Sequence, residues 1–175
     1  MRVLGIDPGL RRTGYGCVEL LNGRETIVEA GVLRIPEKPP LAQRLSALDT
    51  PLRALLAELK PDHVVVESVF AHRLRGHTSM LMGHARGVIL LAIASAGLEV
   101  MELAPAEVKK AVTGSGRADK KQLARVVTML LGKPVEGPHD AVDAVAIAMT
   151  HHAHSHHHEV VPRVTRSHRR WSNRD

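Results

Sequence analysis

The chain has 175 residues, 44% hydrophobic and 24% charged, which suits a single domain with its own core and excludes a disordered or fibrous chain. One cysteine, Cys17, excludes an internal disulfide framework, and the expected setting is soluble and cytoplasmic. The formal net charge of +6 favours a polyanionic partner such as nucleic acid, although part of that excess lies in the C-terminal tail.

Met1 leads straight into the strand-like run RVLGID (2–7), so no signal peptide is expected. PGLRRTG (8–14) reads as a turn. YGCVELL (15–21), Asn22-Gly23 and ETIVEAGVLRI (25–35) read as a β-hairpin, because Asn-Gly accepts the positive φ angles of a tight hairpin turn. A proline-bearing linker (36–40) follows. The segment 41–60 has helical periodicity, with Leu45, Leu48, Leu52, Leu55, Leu56 and Leu59 on one stripe and a kink or reset expected at Thr50-Pro51.

HVVVES (63–68) reads as a second central strand, followed by a charged loop, VFAHRLRGH (69–77). A long helix is expected over 79–96. Its most apolar run, VILLAIASAGL (88–98), is shorter than the roughly 20 residues a bilayer requires, so no membrane partner is expected. A strand (98–104), a short helix (106–112), the flexible loop TGSGRA (113–118) and another helix (119–132) come next. The last helix opens at PHDAVDAVAIAMTH (138–151), and a basic tail without apolar periodicity follows. The expected division is a folded domain over 1–153 and a disordered tail over 154–175. Strands first and alternating strand and helix afterwards imply an α/β fold, a mixed sheet with helices on both faces.

The acids fall in a pattern. Asp7 ends one apolar strand and Glu67 ends another. If those strands are parallel neighbours, the two carboxylates converge at the edge where ligands of open α/β sheets gather. Asp140 and Asp143 lie three residues apart, on one face of a helix that is otherwise apolar all round. Clustered, buried carboxylates repel one another and call for protons, cations or metal, and hard oxygen donors suit Mg²⁺ or Mn²⁺. Each acid also has a plainer reading. Asp7-Pro-Gly is ordinary turn chemistry, Glu67 marks a strand leaving the core, and Asp140 suits a helix N-terminus. The plain readings weaken together, since Asp143 lies beyond the favourable first positions. His139 either starts the helix or assists metal binding or proton transfer.

Five blocks carry a resemblance. LGIDPGLRRTGYG (4–16), VVVESVF (64–70), HARGV (84–88), APAEVKKAVTGSGRADKKQL (104–123) and HDAVDAVAIAMTH (139–151) resemble, in order, the motifs of the RuvC family of Holliday junction resolvases. The resemblance implies a ribonuclease H-like fold, a homodimer, and paired symmetric nicking of a four-way DNA junction with Mg²⁺ or Mn²⁺, in recombination and DNA repair. Two ions per site, hydrolysing the phosphodiester to a 5′-phosphate and a 3′-hydroxyl, are expected. By motif, the metal-binding and catalytic positions are Asp7, Glu67, Asp140 and Asp143. Phe70 takes the place of an aromatic that contacts bases, where stacking contributes on the order of 1–3 kcal/mol; a loop-anchoring Phe is the plainer alternative. Lys109 and Lys120 align with family lysines that contact phosphate, whereas Lys110 and Lys121 read as solvated helix faces. Arg73 and Arg75 would track the DNA backbone near Phe70. Branch-migration proteins, RuvA and RuvB, are implied as partners.

Three other readings share some of these features. A YqgF-like nuclease shares the GIDPG-type opening, but the VFAHR and TGSG segments argue against it. A nucleotide-binding protein of the actin and sugar-kinase superfamily would need a second phosphate loop, and none is found. A junction binder without catalysis is disfavoured by the intact set of four acids.

Overall fold

The computed structural model describes residues 1–9, 11–68 and 76–158. Five strands, β1 (Arg2–Asp7), β2 (Arg12–Leu21), β3 (Arg24–Arg34), β4 (His63–Glu67) and β5 (Val100–Leu103), form one sheet in the order β3-β2-β1-β4-β5. The β1–β2 and β2–β3 pairs are antiparallel, and β1–β4 and β4–β5 are parallel. Asn22 and Gly23, both at positive φ, close the β2–β3 hairpin.

Alternation along the strands sorts their side chains to two faces. Leu4, Ile6, Cys17, Val64 and Val66 pack under α1 (Leu41–Leu59) and α2 (Gly76–Ser95). Val3, Val18 and Val65 pack under α3 (Pro105–Thr113), α4 (Lys120–Leu131) and α5 (His139–His158). Asp7 shares the second face with Val3 by the same period of two, and Glu67 shares it with Val65.

The element order follows the sequence reading, with four differences. The strand expected from residue 15 begins at Arg12, because Arg12, Thr13 and Gly14 pair in register with Arg34, Leu33 and Val32. Pro51 does not break α1, which runs unbroken from Leu41 to Leu59 and buries Leu48, Leu52, Leu55, Leu56 and Leu59. Tertiary burial of that leucine face outweighs the one hydrogen bond proline removes. The last helix does not stop near residue 153 but continues to His158, so the expected domain boundary falls within α5. Buried His152 holds this part of the helix to the sheet through a 2.7 Å contact between its Nδ1 and Glu25 of β3. The remainder of the expected tail, 159–175, lies outside the described residues.

The fourth difference is the start of α2, at Gly76 and not at residue 79. By length and composition alone, Thr78–Ser95 could cross a membrane, and 22% of that stretch is buried. Ala85, Ile89, Ala92 and Ile93 are its buried face, packed in the core shared with α1. The outer face carries exposed Met80 and Leu91.

Candidate active site

In the register of β1 against β4, Ile6 stands beside Val66, which brings the next residues, Asp7 and Glu67, together at the C-terminal edge of two parallel strands. The opposite wall is α5. Asp119 and Gln122 cap α4 reciprocally beside it, and Ala141 bonds back to the carbonyl of Pro138 at 3.0 Å to start α5 itself. From Ala141 to Thr150 every residue of α5 is buried except Asp143, which stays partly open. Asp140, one turn earlier, is likewise partly open. The acidic gap in the apolar helix therefore faces the strand-end acids.

The four carboxylates interact. Burial, then the charges of Glu67, Asp143 and Asp140, push the Asp7 carboxyl up to about 8, with Lys120 opposing. Burial and Asp143 raise Glu67 as well, while a hydrogen bond from Asp7 and the charges of Lys120 and Lys109 hold it down. Burial and mutual repulsion thus favour a proton shared between Asp7 and Glu67 in the metal-free protein. The other two acids are met by cations. Lys120 Nζ lies 2.9 Å from Asp143 Oδ2, and that hydrogen bond is the main cause of its ammonium being held above its usual range. Arg12 Nε lies 3.0 Å from Asp140 Oδ2, off the line of a hydrogen bond: Oδ2 is buried and accepts none.

Of the expected phosphate-binding lysines, Lys120 sits on the cluster and Lys109 acts on Glu67 across the site. Lys110 and Lys121 face outward, Lys110 and Lys121 both lying apart from the acids' ion pairs. The TGSG segment sets this geometry: the Thr113 hydroxyl donates to the Lys109 carbonyl at 2.7 Å, and Gly114 ends α3 at φ 77°. His139 is exposed at the start of α5. Phe70, Arg73 and Arg75 lie outside the described residues.

The sequence reading misses two site residues. Arg12 falls within the predicted turn, yet it opens β2 and reaches Asp140. Arg86, in the HARGV block, pairs with Glu102 and points toward the main-chain carbonyl of Glu67 at 3.5 Å. Its signal is a lone cation in an apolar helix, the same anomaly that marks Asp143.

Mg²⁺ or Mn²⁺ would suit this donor set. The donors are all carboxylate oxygens, two of them already crowded enough to hold a proton, and Asp140 Oδ2 is a buried acceptor without a hydrogen bond. As the side chains lie, with Arg12 and Lys120 on two of the acids, no three of them among the described residues are grouped to hold one ion.

Residues 3–151 match the family described as crossover junction endodeoxyribonuclease RuvC. Relatives bearing that description include the protein of Anaeromyxobacter dehalogenans, 50% identical over 151 residues (86% of this chain and 80% of that one), and that of Halorhodospira halophila, 47% identical over 157 residues (89% and 90%). Among solved structures, Thermus thermophilus RuvC in complex with Holliday junction substrate superposes with a TM-score of 0.83 at 31% identity, covering 90% of this chain and 96% of that one. The fold is accordingly the ribonuclease H-like one expected from the motifs.

Proposed function

The chain belongs to the RuvC family of crossover junction endodeoxyribonucleases, and from that membership we propose that it resolves four-way DNA junctions by metal-dependent hydrolysis of paired phosphodiesters. The observation that carries this reading is the meeting of Asp7, Glu67, Asp140 and Asp143, from two strand ends and one helix, with Lys109 and Lys120 beside them.

Asp7 is the central ligand, since it is the acid that senses all three others. Asp140 and Asp143 would complete one side of the site and Glu67 the other. Divalent ions bound there would activate a water and stabilise the leaving 3′ oxygen, leaving a 5′-phosphate and a 3′-hydroxyl. The chain's own groups do the rest. Asp7 must release the proton it shares with Glu67, and Lys120 and Arg12 must yield Asp143 and Asp140. Cations so released lie where a phosphate would sit and can offset its charge. Lys109 adds its charge near Glu67. The buried apolar body of α5 keeps the two aspartates from swinging away.

A junction offers two related strands, and a two-fold dimer offers two related sites. The leucine stripe of α1 is taken up by the core, so α2 remains as the dimer surface. Its outer stripe, Met80, Gly83, His84, Gly87 and Leu91, is exposed, and nothing lies within 4 Å of either glycine's β position. Such a face lets two helices approach closely. Phe70, Arg73 and Arg75 are proposed as junction contacts, RuvA and RuvB as partners, and the cytoplasm as the setting.

The test is a synthetic four-way junction set against linear duplex of the same sequence, with Mg²⁺, Mn²⁺ or chelator. Symmetric paired nicks that need both junction and metal are expected. Binding without nicks in either metal would make the protein a junction binder instead.

A further inference from the structure

We propose that a basic groove beside the carboxylate cluster, between the start of β2 and residues 34–38, carries the phosphate backbone of a DNA arm leaving the cleavage site. This rests on the resolvase reading and names a part of the substrate path outside the acids and lysines already described.

The groove has a volume of about 1030 Å³ and is lined by Arg11, Arg12, Arg34 and Lys38, with Glu37 as its one acid among the described residues. Glu37 is engaged by Arg11 at 3.1 Å. Arg34 and Lys38 are exposed and form no ion pair among the described residues. Arg12 and Arg34 stand directly opposite each other across the β2–β3 ladder. Like charges in that position repel, and the fold keeps them together: the Ile35 amide donates to the Arg11 carbonyl at 2.8 Å just beyond the pair. Two arginines paired across the ladder, with a third next to them in the chain and a lysine further along, suit a string of oxyanions better than a single small acid or an apolar ligand.

Continuity with the cleavage site decides the occupant. Arg12 lines the groove and also touches Asp140. A strand whose scissile phosphate lay over the acids would have its neighbouring phosphates at the mouth of this groove. Contacts of this kind position DNA without reading its sequence.

The experiment measures affinity for a fluorescent four-way junction over a range of salt concentrations, with metal chelated so that no strand is cut. The variant is the double substitution Arg34→Gln/Lys38→Gln, both on exposed side chains. The control is Arg24→Gln/Lys133→Gln, which removes the same charge from exposed positions away from the groove, Arg24 being at the far end of the same hairpin. The groove variant should bind about tenfold more weakly, and its log K against log salt slope should be shallower by roughly 1.8, or about 0.9 for each phosphate no longer neutralised. The control should match the parent chain. A parent-like slope in the groove variant, or an equal loss in the control, overturns the inference. A parent chain that binds no junction overturns the resolvase reading beneath it.

Discussion

Gly5 lies directly beneath Ala144: a β-carbon added to Gly5 would overlap the Ala144 carbonyl oxygen. Gly14, opposite Asp7 in the β1–β2 register, stands in the same relation to the carbonyl oxygen of Asp140. These two absent side chains let α5 lie close on the sheet, and that closeness puts Asp140 and Asp143 against Asp7. The glycines of the first motif therefore act through the last one.

Gly5→Ala is expected to cost about 3 kcal/mol of stability, at the upper end of core overpacking, because the obstacle is helix backbone and not a side chain that can turn away. Denaturant midpoints read the effect. An alanine variant as stable as the parent would show that α5 can move off the sheet at little cost.

Metal-free stability should depend on pH through Asp7. The unfolded carboxyl releases its proton near 3.8 and the folded one near 8. Between those values the folded state binds more protons than the unfolded, so stability falls as pH rises through that window, and Glu67, raised for similar reasons, adds to the fall. Asp7→Asn has no charge to bury there. It should melt higher than the parent at pH 8 without metal, show a flatter pH profile, gain less from added Mg²⁺, and fail to nick junctions. Thermal melts across pH, with and without the ion, check all but the last, which a gel reads.

Arg12 competes with metal for Asp140. The arginine side chain is 51% exposed, so the pair is worth no more than about 1 kcal/mol. Arg12→Gln should therefore bind Mn²⁺ about two- to fivefold more tightly by titration calorimetry. Unchanged affinity would mean that the ion does not use Asp140 on the side Arg12 approaches.

Leu91→Glu places a charge at a 60% exposed position on the outer stripe of α2. It should leave the melting temperature of the monomer nearly unchanged and shift the proposed dimer to monomer in sedimentation velocity. Paired nicks should then give way to single, uncoordinated ones. A variant that stays dimeric would move the interface to another face.

Much of the site is legible in the sequence. Acids at two strand ends, and two more in an apolar helix, are local contradictions of burial, and such contradictions mark function. Lys109 and Lys120 are expected there from the motif resemblance. Arg12 is not, because its sequence neighbours, Pro8, Gly9, Arg11 and Thr13, read as turn, and only pairing with β3 makes it the first residue of a strand. The length of α5 is hidden for a similar reason. Residues 151–158 lack apolar periodicity, and that end of the helix meets the sheet through histidines, His152 with Glu25, 127 positions apart, and His151 with His63 at 4.9 Å between ring centroids.

The sequence by itself determined the element types and their order, the apolar faces, and the anomalous placement of the four acids, since these depend on periodicity and composition within a short window. The tertiary structure alone decided which cation answers which acid, that α2 keeps an open apolar stripe, and how Arg12, Arg34 and Lys38 come to share one groove. Those relations depend on strand register and on the close approach of α5 to Gly5 and Gly14. They are distances between residues far apart in the chain, and no local pattern encodes them.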